Sequence, residues 1–210
     1  MEEKVMHIAS GQSVADDLIS KGVCNVYAFN EAMCEGHPTK DIYSYTFCVE
    51  RANAYGISLD EYYDRHVDLT ADGIEEMHLY FDYDMFCCMN VITLLAYLEQ
   101  ICYKGNIIFH LVEQNGTANV LDTFVIQLGK YYDLYENVLI LQKFDECDID
   151  YINQGIKLYL NYKQEDNEII SYIKKHHDLD KTKLCKDLLQ KFMNYGLGDI
   201  IFLKLIDTYK

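Results

Sequence analysis

One proline, Pro38, and two arginines, Arg51 and Arg65, are all that this 210-residue chain contains of those types. No apolar run approaches the ~18 residues needed to cross a bilayer, so no membrane partner is expected. The N-terminus, Met1-Glu2-Glu3-Lys4-Val5-Met6, is acidic and has no signal-peptide core, which makes the cytoplasm the expected location. Zinc-ligand spacing is missing too. Cys87 and Cys88 are adjacent and the other six cysteines are scattered, so they are expected to be reduced, with many of them buried as small hydrophobes. Positive charge is scarce, with 18 Lys and Arg against 34 Asp and Glu and a net charge of −16. There is no internal repeat and no low-complexity linker.

What is present is a globular composition: half of the residues are apolar and a quarter charged. That length can bury a core in one domain, or in one domain plus a small appendage. The charge is uneven. Residues 1–150 hold 8 Lys and Arg against 26 Asp and Glu (−18), whereas residues 151–210 hold 10 Lys against 8 acids (+2). Binding DNA or RNA requires cations that neutralise phosphates, so nucleic acid is a poor partner for the first part.

Hydrophobic spacing gives the organisation. Val5–Ala9 reads as a strand, 14–19 as a helix ended by Lys21-Gly22, and Val23–Phe29 as a second strand. A loop from Asn30 to Pro38 follows, then Tyr-rich helices near 41–56 and 58–66. A strand around His78–Phe81, a helix around Phe86–Ile101 and a strand over Asn106–Val112 come next. Strands alternating with helices predict an α/β fold. It is expected to be a small Rossmann-like parallel sheet of about four strands with helices on both faces over 1–125. Helical spacing near 156–160, 169–173, 184–189 and 200–206 predicts an all-helical C-terminal module over 126–210.

Several of these segments carry a resemblance. They are Met6-His7-Ile8 with Gly11-x-Ser13, Glu31-Ala32-Met33-Cys34-Glu35-Gly36-His37-Pro38, Arg51-Ala52, and Leu79-Tyr80-Phe81-Asp82-x-Asp84-Met85-Phe86 with Asn90 and Leu94–Leu98. In order and spacing they resemble the bacterial family catalogued as domain of unknown function 1835, and Tyr195-Gly196-Leu197-Gly198-Asp199 is similar to the helical module that often follows it. The resemblance implies a fold neighbourhood and a shared pocket rather than an activity. Against the family's pattern, Gln12 replaces an Asp, Cys88 replaces a Gln, and His37 is inserted before Pro38.

The candidate site residues gather on this frame. Ser10-Gly11-Gln12-Ser13 joins a strand to a helix, where backbone N–H groups and the helix dipole favour an anion. Ser13 with Asp16 is equally an ordinary helix cap. Asp82 and Asp84 end the strand near 78–81, where open α/β sheets bind ligands, and two such carboxylates can hold Mg²⁺. Asp84, nearer the helix, is the more natural cap. Glu31, Glu35 and His37 come from the acidic loop. Arg51 is expected to clamp an anionic ligand, and Arg65 is expected at the surface. A serine-hydrolase reading of Gly-x-Ser fails for want of a late Asp-x-x-His.

The expected function is binding of a small phosphorylated or nucleotide-like anion, as a sensor or sequestering protein of the kind a phage or a host-defence system uses. Two alternatives stand beside it: a Mg²⁺-dependent nucleotide- or phosphoester-processing enzyme, and a DNA-linked regulator acting through the helical module. A homo-oligomer is compatible with either. An amide at Gln12 cannot act as a carboxylate base, which weighs against turnover.

Overall fold

The structure, a computed structural model, describes residues 4–66 and 71–210. Arg65 falls among the residues whose side chains are not described. Five strands form one sheet: β1 (Val5–Ala9), β2 (Val26–Ala28), β3 (Glu76–Phe81), β4 (Asn106–Val112) and β5 (Val120–Ile126). Their order is β2-β1-β3-β4-β5, with the first four parallel and β5 antiparallel to β4. The helices are α1 (Gln12–Ser20), α2 (Tyr45–Tyr55), α3 (Leu59–His66), α4 (Met85–Gln100), α5 (Tyr131–Tyr135), α6 (Asp150–Tyr162), α7 (Glu168–Lys175), α8 (Lys181–Lys191) and α9 (Asp199–Tyr209). A π-helical turn, Glu136–Ile140, continues α5, and a 3₁₀ turn, Met193–Tyr195, precedes α9.

The expected α/β class is correct, but the sheet has five strands rather than about four and is mostly rather than wholly parallel. No helix among the described residues is long and apolar enough to cross a membrane. β5 is the strand that spacing did not reveal. Asn115-Gly116, a dipeptide that favours tight reversals between strands, lies in its connection to β4. There Asn115 Oδ1 accepts from the Thr117 amide, and Gly116 takes φ +76°. The second strand is also shorter than expected, three residues rather than seven.

The two faces of the sheet are unlike. Met6 and Ile8 of β1, Met77, Leu79 and Phe81 of β3, and Ile107, Phe109 and Leu111 of β4 alternate onto one face and join the main core. Helix α4 lies in that core with 12 of its 16 residues buried, which is why its sequence is apolar all round. Residues of α5, α6, α7, α8 and α9, including Tyr135, Ile156, Ile173, Leu188 and Phe202, belong to the same continuous core. The other face carries a small second cluster, in which Val14, Ala15 and Leu18 of α1 pack on Ala9, Tyr80 and Val112.

Candidate functional site

Strand order places the candidate site. The chain leaves β1 toward β2 and later returns to set β3 on the opposite side of β1. At such a reversal the connections at the carboxyl ends of two neighbouring strands diverge and leave a crevice. Here those connections are Ser10–Ser13 after β1 and Asp82–Asp84 after β3, tied together by the Ser10 amide donating to the Tyr80 carbonyl at 2.9 Å.

The first connection ends at an uncapped helix. Gly11 stands at the N-cap of α1 with φ 127° and ψ 177°, a conformation available essentially to glycine, and no side chain caps the helix. Gln12 and Ser13 are exposed. The cap expected from Ser13 and Asp16 does not form. Ser13 Oγ donates instead to the Gly116 carbonyl at 2.9 Å, and Gln12 Nε2 donates to Asp16 Oδ1 at 2.7 Å. The β4–β5 connection is thereby fastened to the Ser13 side chain of α1.

The second connection is closed by the chain itself. Asp82 Oδ1 accepts from the Asp84 amide at 2.9 Å, and Asp84 Oδ1 accepts from the Cys87 amide at 2.7 Å, so Asp84 does cap α4. Gln114 Nε2 donates to Asp84 Oδ2 at 3.1 Å and also to the Met193 carbonyl at 2.7 Å. On the other side the αL residue Gly196 lies against the Asp84 carboxylate so closely that a Cβ would overlap it. Burial, then the charge of Asp82, pushes the Asp84 carboxyl up to about 7, and burial also raises Asp82.

Oxygens of Asp82 and Asp84 and the sulfur of Cys87 lie within 4.8 Å of one another, the one such donor cluster among the described residues. The set does not suit Mg²⁺. The Gln114 N–H already engages Asp84 Oδ2. The Cys87 sulfur is soft, and burial holds its proton in place.

The acidic loop is pinned by Arg51, which is wholly buried rather than presented to a pocket. Its Nε donates to Glu31 Oε2 at 3.2 Å, Nη1 to the Glu35 carbonyl at 2.5 Å, and Nη2 to the Ala32 carbonyl and Tyr55 Oη, both at 2.8 Å. Every arm of the fork is spent inside the protein. Glu31 is itself buried and accepts from Tyr55 Oη at 2.8 Å and from Tyr62 Oη. Asn90 of α4 clasps the same loop, accepting from the Met33 amide at 3.0 Å and donating to the Glu31 carbonyl at 2.5 Å. Glu35 Oε1 accepts from Tyr162 Oη of α6 at 2.5 Å. His37 is exposed.

The expected site therefore divides. Ser10, Gly11, Gln12 and Ser13 and, after β3, Asp82 lie on the two connections that leave the carboxyl ends of β1 and β3. Glu31, Glu35, Arg51 and Asp84 are engaged in hydrogen bonds within the protein, and His37 is at the surface. Tyr55, Tyr62, Asn90, Gln114 and Gly196 were not singled out for these roles. Only Tyr55 carries a local signal, four residues from Arg51 on one helix face. No family model matches the chain, and no curated protein and no solved structure matches it.

Proposed function

We propose that this chain binds a small phosphorylated or nucleotide-like anion without converting it, on a Rossmann-like unit followed by a helical module. The observation that carries the reading is the start of α1. Gly11 admits close approach, no side chain hydrogen-bonds at the cap, and the exposed first turn offers unpaired backbone N–H groups along the helix dipole. Its position at the β1/β3 reversal adds to this. Asp82, beside it, suits a ligand hydroxyl better than a phosphate.

The absence of turnover follows from the carboxylates. Gln12 offers no base, and Asp84 has both oxygens committed to Cys87 and Gln114. Native mass spectrometry of the protein purified from its host tests the reading. A retained mass matching a phosphorylated small molecule, unchanged after incubation with Mg²⁺, is expected. Stoichiometry-exceeding product from a nucleotide mixture, abolished by Asp82→Asn, would overturn it in favour of the enzyme.

A further inference from the structure

Three histidines lie on the sheet face that α1 covers only near the carboxyl ends of the strands. Strand register sets them there: His7 of β1 pairs with His78 of β3, Tyr80 of β3 with His110 of β4, and His110 with Thr123 of β5. The three rings are partly buried. Towards β5 the face is open, with Val125 72% exposed.

Across this face runs an unbroken chain of hydrogen bonds. Glu76 Oε1 lies 3.0 Å from His78 Nε2, His78 Nδ1 lies 2.8 Å from His110 Nε2, and His110 Nδ1 lies 3.2 Å from Thr123 Oγ1. The His78 and His110 rings are within 4° of parallel, with centroids 5.2 Å apart. That separation exceeds the N···N distance by about a ring diameter, so the two nitrogens face each other along the line of centres. Two neutral imidazoles can meet this way only if one supplies N–H and the other a lone pair.

We propose that Glu76, His78, His110 and Thr123 form a proton relay that takes up one proton for two histidines and reverses its hydrogen bonds in doing so. The bookkeeping is fixed by the partners. The Glu76 carboxylate accepts the His78 Nε2 proton, which leaves His78 Nδ1 as acceptor. His110 therefore carries its proton on Nε2, and its Nδ1 accepts from the Thr123 hydroxyl. An incoming proton binds His110 Nδ1, the Nε2 proton crosses to His78 Nδ1, and His78 becomes an imidazolium beside Glu76. His110 is left neutral with its proton on Nδ1, now donating to Thr123. No bond other than N–H changes, and no further reactant is required.

The surrounding groups agree with a single charge. Glu76 is the one carboxylate in the chain of bonds. His7 stacks on His78 at 4.9 Å and reaches Tyr80 Oη with Nδ1 at 3.2 Å, so it adds a third ring that disfavours a second proton. β5 contributes only the Thr123 hydroxyl. Burial, then His78 and His7, depresses His110 to about 4, and burial with His78 lowers His7.

Long-range ¹⁵N–¹H spectra of the full chain with labelled histidine, recorded from pH 8 to pH 4, test this. In the starting state both rings are expected to be Nε2–H tautomers. The first proton should then move both rings in one shared step while His110 switches to Nδ1–H. His78→Gln should abolish the switch and raise the His110 midpoint by about one pH unit, roughly tenfold in proton affinity. Glu76→Gln, at a half-exposed position, should shift the shared step down by a similar amount. Rings that titrate separately with fixed tautomers, or steps unmoved by both substitutions, would overturn the relay.

Discussion

Removing the Arg51 guanidinium would break its buried ion pair with the Glu31 carboxylate and the hydrogen bonds its fork makes to the loop. Arg51→Met should therefore cost about 3–5 kcal/mol in urea unfolding, the usual loss when one partner of a buried pair is deleted. Arg51→Lys keeps the charge but not the fork, so it should still lose most of that amount. A change below ~1 kcal/mol would mean that Arg51 is not the pin of the loop. Gly196→Ala should destabilise by about 1–3 kcal/mol, from the Cβ overlap with Asp84 and a backbone at φ +66°. The motifs pointed at Asp84 and its cap, and at Arg51 and Glu31 but not at their roles. Arginine recognises a ligand carboxylate or phosphate and a buried glutamate by the same geometry, and the choice between them was made by Tyr55, Tyr62 and Asn90. Tyr62 and Asn90 lie 31 and 59 residues from Glu31, beyond any local pattern.

Elements were more legible than contacts, because burial writes a period into each of them. Four strands, α1 and the four long C-terminal helices follow from that spacing, whereas α2 and α3 show as Tyr-rich stretches and α4, buried nearly all round, as a long apolar run. The exception, β5, fails it for a physical reason: most of the strand is exposed at the sheet edge, so no buried stripe marks it, and only the Asn115-Gly116 turn signals it. How elements meet was hidden. α6 crosses α4 where Gly155 lies against Cys88, with no room for a methyl group. Gly155→Ala should lower the thermal midpoint, a loss of about 1–3 kcal/mol, whereas a swap at exposed Lys157 should not. Likewise, a fragment of residues 1–150 should be insoluble or should melt without cooperativity, since it uncovers the apolar surface of α4 that α6 buries. A soluble fragment with a sharp transition would make the tail an independent module.

At the scale of the whole molecule, opposing titrations shape stability. The Asp84 pKa, raised by burial, favours the folded state at low pH, and that stabilisation is lost as pH climbs from the free-carboxyl range through about 7. The lowered His7 and His110 act the other way, because the unfolded chain takes up protons that the folded one refuses. Their contribution declines as pH falls below about 6.5 toward 4. His110→Gln should therefore flatten the acid limb of a stability–pH profile and leave the alkaline limb unchanged. An acid limb identical to wild type would contradict this sign.

The central claim, an anion held by the open start of α1, can be read directly from backbone amide shifts of ¹⁵N-labelled full-length protein titrated with inorganic phosphate and with a nucleoside monophosphate. Saturable shifts at Gly11, Gln12, Ser13 and Val14, stronger for the nucleotide and with an unchanged ³¹P spectrum in the presence of Mg²⁺, are the predicted result. Shifts confined to other parts of the chain, or none at millimolar ligand, would contradict it.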